Sequence, residues 1–150
     1  MPKKISPPPL STAELDGEFY RADIEVHGIE HGGATYQARI FLNNPRATER
    51  TAMTADTGFA GTFHIFGHGG CLGDPGHCDV VPRGPHDPRP AHPLTPANKI
   101  ITATDAIRRA MQAGDDIRVT IVPVIMSTTP AVGRPDDVLK FEHVRIVTYR

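Results

Sequence analysis

The chain has 150 residues, with 16 Lys and Arg against 17 Asp and Glu, so its net charge at pH 7 is −1. This length suits one domain that can bury a core without staples. Because the charges are balanced and scattered, nucleic acid and anionic membranes are not expected partners. The start, MPKKISPPPL, lacks the apolar segment of a signal peptide, and no run is long enough to span a membrane. We therefore expect a cytoplasmic protein.

The N-terminal residues and the first strands differ in pattern. Three consecutive prolines, Pro7 to Pro9, predict a flexible arm over residues 1–15, followed by a single domain over residues 16–150. Apolar and polar residues alternate over 20–27 and again over 36–43, which is typical of half-buried strands. Gly32–Gly33 separates the two runs, so an antiparallel hairpin is predicted.

A third strand is predicted after a polar connection. Phe59, Gly61, Phe63 and Ile65 form one face of this strand, and the opposite face holds the side chains of Thr62, His64 and Phe66. From 67 to 96 the chain is rich in glycine, proline and histidine and has no apolar period. Irregular loops of this length are usually functional or internally fixed.

One short helix is predicted over Thr104–Ala113. Thr102 or Thr104 is the expected N-cap, and Gly114 the expected stop. The β-branched run that follows contains Pro123, which indicates that the run leaves the sheet or lies at its edge. The segment LKFEHVRIVTY predicts a closing strand. Together these elements predict a mainly β fold, an antiparallel, jelly-roll-like β-sandwich with one short helix and a long loop.

The long loop concentrates histidine and cysteine. His68, Cys71, His77 and Cys78 offer two imidazoles and two thiolates, a ligand set that suits zinc or copper(I). The spacing is not that of a standard zinc finger. A disulfide between the two cysteines and two free thiols packed under the loop therefore remain as alternatives.

Sequence signatures of common enzymes are absent. The chain has no G-x-S-x-G elbow, P-loop or dinucleotide fingerprint. Asp115–Asp116 and Asp136–Asp137 read as polar turn residues. The sequence therefore predicts a binding protein and no catalytic residues.

Six segments, taken in order, resemble the C-terminal β-sandwich domain of polyphenol oxidases and tyrosinases, the type-3 copper proteins. The resemblance covers about residues 19 to 147 and rests on the segments GIE, YQARIFLN, FAGTFHIFGHG, TDAIRRAM, DDIRVTIVPV and LKFEHVRIV. It implies that Phe59 to Phe63 lie on the strand leading to the family's histidine segment and that His68 matches one of that segment's histidines. Two departures are that Gly67 replaces the family's proline and that 71–96 has no counterpart. The half of such enzymes that binds two copper ions is missing.

The resemblance implies a fold and a class of partner without oxidase activity. In the family this domain covers the dicopper site and can hold the enzyme latent with a side chain in the substrate entrance. A free-standing version is expected to bind or shield a type-3 copper oxidase, or to assist copper loading, with Phe66, Leu72 and His64 as contact residues. The alternatives are a stand-alone metal-binding protein that uses zinc or copper, and a structural subunit of an unrelated assembly.

Overall fold

The computed structural model describes residues 3–13, 15, 18–69, 74–126 and 138–150. In chain order the described elements are β1 (Leu10–Ser11), β2 (Arg21–Ile29), β3 (Tyr36–Leu42), a 3₁₀ turn (Ala55–Thr57), β4 (Phe59–Ile65), β5 (Ala97–Thr102), α1 (Thr104–Gln112), β6 (Asp116–Ile117), β7 (Val119–Ile125) and β8 (His143–Tyr149). The described parts of the 67–96 loop, up to the start of β5, contain no strand or helix.

Two three-stranded antiparallel sheets enclose the core. The first sheet has the order β5–β2–β8, the second has the order β4–β3–β7, and β1 and β6 form a separate two-stranded pair. Inward-facing residues of both sheets share one apolar cluster that includes Ile24, Val26, Ile40, Phe63 and Ile121. The predicted mainly β, sandwich-like fold with one short helix is confirmed.

The predicted hairpin of the first two long strands is wrong. β2 pairs with β5 and β8, whereas β3 pairs with β4 and β7. The chain between Ile29 and Tyr36 therefore crosses from one sheet to the other. Alternation shows which side chains face the core, but facing strands of a sandwich alternate in the same way, so it does not identify the neighbouring strand.

The predicted face of β4 is interrupted by a bulge at Gly61. The register shifts between Ile40 and Phe41, and Gly61 has a φ of +146°. A Cβ at this position would overlap the side chain of Ile101, so glycine is required. Beyond the bulge, Phe59 packs edge-to-face on Phe41 at 5.8 Å, away from the main core. Its predicted place on the face of Phe63 is wrong.

The helix lies at its predicted position, with a different cap. Ala103 is the N-cap residue and gives no side-chain hydrogen bond. The Thr104 hydroxyl instead accepts a hydrogen bond from the amide of Ala22 in β2, at 3.1 Å. Ile107 and Ala110 bury the inner face of α1 in the core. No helix within the described residues is long and apolar enough to cross a membrane.

The N-terminal arm lies along β7, the edge strand that contains Pro123. Ile5 and Ile121 exchange two backbone hydrogen bonds of 3.1 and 2.9 Å, and β1 pairs with β6. Backbone groups of alternate strand residues point the same way. The backbone nitrogen of Pro123, like the N–H of Ile121, therefore points away from β3. A missing N–H costs no sheet bond there, and Pro123 lies at an edge as predicted. The flexibility of the arm stays a prediction.

Candidate functional site

One end of the outer face of the second sheet exposes two large apolar side chains. Tyr36 lies opposite Ile65 on one side and Ile125 on the other. The residues adjacent to these three in sequence therefore form a row across the outer face of the sheet, in the order Phe66–Thr35–Met126. Phe66 is 82% exposed and Met126 57% exposed. Because neighbouring strands are about 4.8 Å apart, the two apolar residues are separated by about 10 Å across Thr35.

Backbone hydrogen bonds hold the chain beside Phe66 in place. The amide of Gly67 donates to the Thr35 hydroxyl at 3.0 Å. The amides of His68 and Gly69 donate to the carbonyls of His31 and Gly33, at 3.1 and 2.8 Å. A Cβ at Gly67 would overlap the backbone of Gly33 and Ala34. Phe66 therefore projects from a segment that is fixed on its C-terminal side.

The other end of this face is already covered. Phe41, Ala47 and Val122 form a second buried cluster with the partly buried Phe59. Ala47 belongs to the connection between β3 and β4, which lies over that end of the sheet. The outer face is therefore open at the end with Phe66. We name the residues Phe66 and Met126 the apolar end.

His64 lies on the same outer face, one row from Phe66. It is exposed and lies opposite Gln37 of β3. The Gln37 side-chain amide donates to its Nε2 at 3.3 Å. Of the predicted contact residues, Phe66 and His64 therefore share one surface, and Leu72 lies outside the described residues.

The predicted metal ligands are spread along the loop. The His68 ring lies 6.1 Å from that of His31. His77 and Cys78 are neighbours, and Cys71 lies outside the described residues. No group of three His, Cys, Asp or Glu side chains within residues 3–13, 15, 18–69, 74–126 and 138–150 has an arrangement that could hold a metal ion. The four-ligand metal site stays a prediction.

Cys78 is disulfide-bonded in the structure, and the sequence contains one other cysteine, Cys71. A sulfur in a disulfide is not the thiolate that a metal ligand must be, and the choice among the three alternatives stays a prediction. The Cys78 sulfur lies 3.4 Å from Nε2 and 4.0 Å from Nδ1 of His77, so it sits beside the ring rather than in line with one nitrogen. His92 Nε2 donates to the His77 carbonyl at 3.1 Å and connects two parts of the loop that are 15 residues apart.

A polar network on the outer face of the first sheet was not predicted. Sequence alternation assigned Asp23 and Glu25 to the solvent side of β2, yet they are only 0% and 6% exposed. Arg21 donates to both carboxylate oxygens of Asp23, at 2.9 and 2.6 Å, and its guanidinium lies 5.0 Å from the centre of the Tyr149 ring. The Arg21 hydrogen bonds lower the pKa of Asp23.

The second carboxylate is held in the same way. Glu25 Oε2 accepts from His27 Nε2 at 2.7 Å and from Arg145 Nε at 2.6 Å. These two partners, His27 first, lower the pKa of Glu25. A signal was present in the sequence, since residues of opposite charge alternate at i and i+2 in Arg21–Asp23 and Glu25–His27 and so share one strand face.

Comparison with known proteins adds no assignment. No protein-family model matches the chain. No curated protein matches it significantly in sequence.

Proposed function

We propose that this chain is a non-catalytic protein, similar to the C-terminal domain of tyrosinases, that binds and shields a type-3 copper oxidase. The observation that carries the proposal is the exposure of Phe66 beside Met126 at the apolar end. The sandwich-like fold agrees with the proposal, but fold by itself does not establish function.

Phe66 has the properties expected of an interface anchor. An aromatic side chain gains most when it enters a preformed apolar pocket, and such anchors account for much of the binding energy of interfaces. The hydrogen bonds that follow Phe66 fix its backbone before binding. Less conformational entropy is therefore lost when the partner binds.

The polar residue beside the anchor fits a contact at an active-site entrance. His64 and Gln37 lie one row from Phe66 and supply hydrogen-bonding groups next to the apolar ones. An apolar centre with a polar rim is the usual composition of specific interfaces. In the proposed complex Phe66 enters the substrate entrance of the oxidase, and His64 lies at its rim.

The test uses a tyrosinase from which its own C-terminal domain has been removed. Addition of the full chain should slow catechol turnover in a saturable way. The Phe66→Ser variant should bind about 30-fold more weakly, which corresponds to loss of about 2 kcal/mol at an aromatic hot spot.

Tyr20→Ser is the matched control, because Tyr20 is also an exposed aromatic residue but adjoins β2 in the first sheet. This variant should inhibit like the unmodified chain. Equal inhibition by Phe66→Ser would show that the apolar end is not the contact. Absence of inhibition by the unmodified chain would favour the alternative of a subunit in an unrelated assembly.

A further inference from the structure

Two histidines face each other at the end of the first sheet. His27 and His143 are directly opposite in the β2–β8 pair. Their rings are stacked, with centroids 4.7 Å apart and planes inclined by 6°. The side chain of His27 is 23% exposed, and His143 is exposed. The pair is therefore open to solvent and to ions.

A buried carboxylate orients one of the two rings. Glu25 Oε2 lies 2.7 Å from His27 Nε2, and Arg145 Nε donates to the same oxygen from β8. An ionised carboxylate only accepts hydrogen bonds, so Nε2 of His27 carries a proton. When the ring carries a single proton, the lone pair is therefore on Nδ1. Histidines that bind metals are commonly oriented by such a carboxylate on the other ring nitrogen.

The spacing of the two strands suits chelation. Directly opposite residues of an antiparallel pair have Cβ atoms about 4.5–5.5 Å apart. Two imidazole nitrogens can then reach one ion with bonds of about 2.0–2.1 Å. Parallel stacked rings direct their lone pairs side by side, so binding requires the rings to turn until the lone pairs converge. The exposed His143 ring has room to do so.

The charges around the pair also favour a cation. The side chain of Glu142 lies against Gly28, next to His27. Glu25 supplies a second carboxylate, and the guanidinium of Arg145 is paired with it. The local charge is therefore not dominated by a free cation.

We propose that His27 and His143 form a two-histidine site for a divalent transition-metal ion such as Zn²⁺ or Cu²⁺. Imidazole nitrogen is a preferred ligand of both ions. No third ligand of the usual kind completes a group of three in the described chain, so water fills the remaining coordination positions. The site is separate from the loop ligands His68 and His77 and is independent of the proposed function.

The test is a titration of the ¹⁵N-labelled full chain with Cu²⁺, followed by NMR. The paramagnetic ion broadens nearby amide signals, so the signals of residues 26–28 and 142–144 should broaden below one equivalent. The His143→Asn variant should lose this broadening, because one imidazole cannot chelate. His64→Asn is the control, since it removes an exposed histidine from the other sheet, and it should leave the broadening unchanged.

A second variant distinguishes a specific metal site from nonspecific binding of the metal ion to histidine side chains. Glu25→Gln keeps both imidazoles but removes the carboxylate charge that orients His27. Calorimetry with Zn²⁺ should show binding weakened by about 10–100-fold. The proposal is overturned if broadening is confined to residues 68–92, or if the signals near His27 still broaden in His143→Asn.

Discussion

The Asp23 carboxylate, fully buried beside Arg21, makes the stability of the fold sensitive to acid. Its pKa in the folded protein lies below its ordinary value because Arg21 donates two hydrogen bonds to the carboxylate. Below about pH 3.9, the ordinary value, the unfolded chain takes up a proton more readily than the folded chain does. The stabilisation by Asp23 is therefore complete above that pH and is lost as the pH falls through the folded pKa.

We expect Asp23→Asn to lower the free energy of unfolding at pH 7 by about 1–3 kcal/mol, because Arg21 loses its ionic acceptor. Urea titrations at decreasing pH should show this difference shrink below about pH 4. Asp105→Asn is the control, since the side chain of Asp105 is 82% exposed on α1, and it should change stability by less than about 0.5 kcal/mol. A difference that stays constant down to pH 2 would contradict the role of the charge.

Among the elements, the part of the long loop that the structure describes after residue 73 is held by a disulfide and a hydrogen bond. Cys78 is disulfide-bonded, and His92 binds the backbone at His77. Val80 and Val81 are exposed, so apolar burial contributes little in this part of the loop. In residues 74–92 these cross-links therefore contribute more than apolar burial does.

We expect the chain purified in air to contain no free thiol and, after reduction, two. Reduction should lower the free energy of unfolding by about 2–3 kcal/mol, the value for a disulfide between the two cysteines of the chain, which are close in sequence. Cys78→Ser should have the same effect, and His86→Ala, which changes an exposed loop histidine, should have none. Zinc uptake by the reduced chain that is lost in Cys78→Ser would support the four-ligand metal site, and two free thiols in air-purified protein would contradict the disulfide.

At the scale of the whole molecule, the two sheets share one hydrophobic cluster and should unfold together. Ile24 of the first sheet and Ile40 of the second are both fully buried in this cluster. Replacing either residue by alanine leaves a cavity that both sheets border. We expect Ile24→Ala and Ile40→Ala each to lower the free energy of unfolding by about 2–5 kcal/mol.

Circular dichroism and tyrosine fluorescence should report the same unfolding midpoint in each variant, as a single cooperative unit requires. Ile100→Ala is the matched control, since Ile100 is 60% exposed on β5, and it should cost less than about 1 kcal/mol. Two separate transitions, with each variant shifting only one, would show that the sheets are independent units and would contradict the single-domain prediction.

The sequence by itself determined the fold class, the helix and most strands, because the periods of 2 and 3.6 residues are local properties of the chain. Alternation placed β2, β3 and β4 within one or two residues of their observed bounds, and α1 lies where the sequence predicted it although the predicted cap residue was wrong. Alternation missed β5, Ala97–Thr102, in which Ile101 is buried in the core but Ala97 and Lys99 are only partly buried. The outward-facing positions of Phe66 and His64 were predicted in the same way, because they follow directly from the alternation.

Only the tertiary structure decided which strands are neighbours and which polar groups are buried. The β2–β3 hairpin is absent because strand pairing depends on contacts between distant residues, which local alternation does not encode. Asp23 and Glu25 are buried on the outer face because Arg21, Arg145 and Tyr149 cover them, and two of these three lie on β8, more than 100 residues away. The His27–His143 pair likewise exists only through the β2–β8 register.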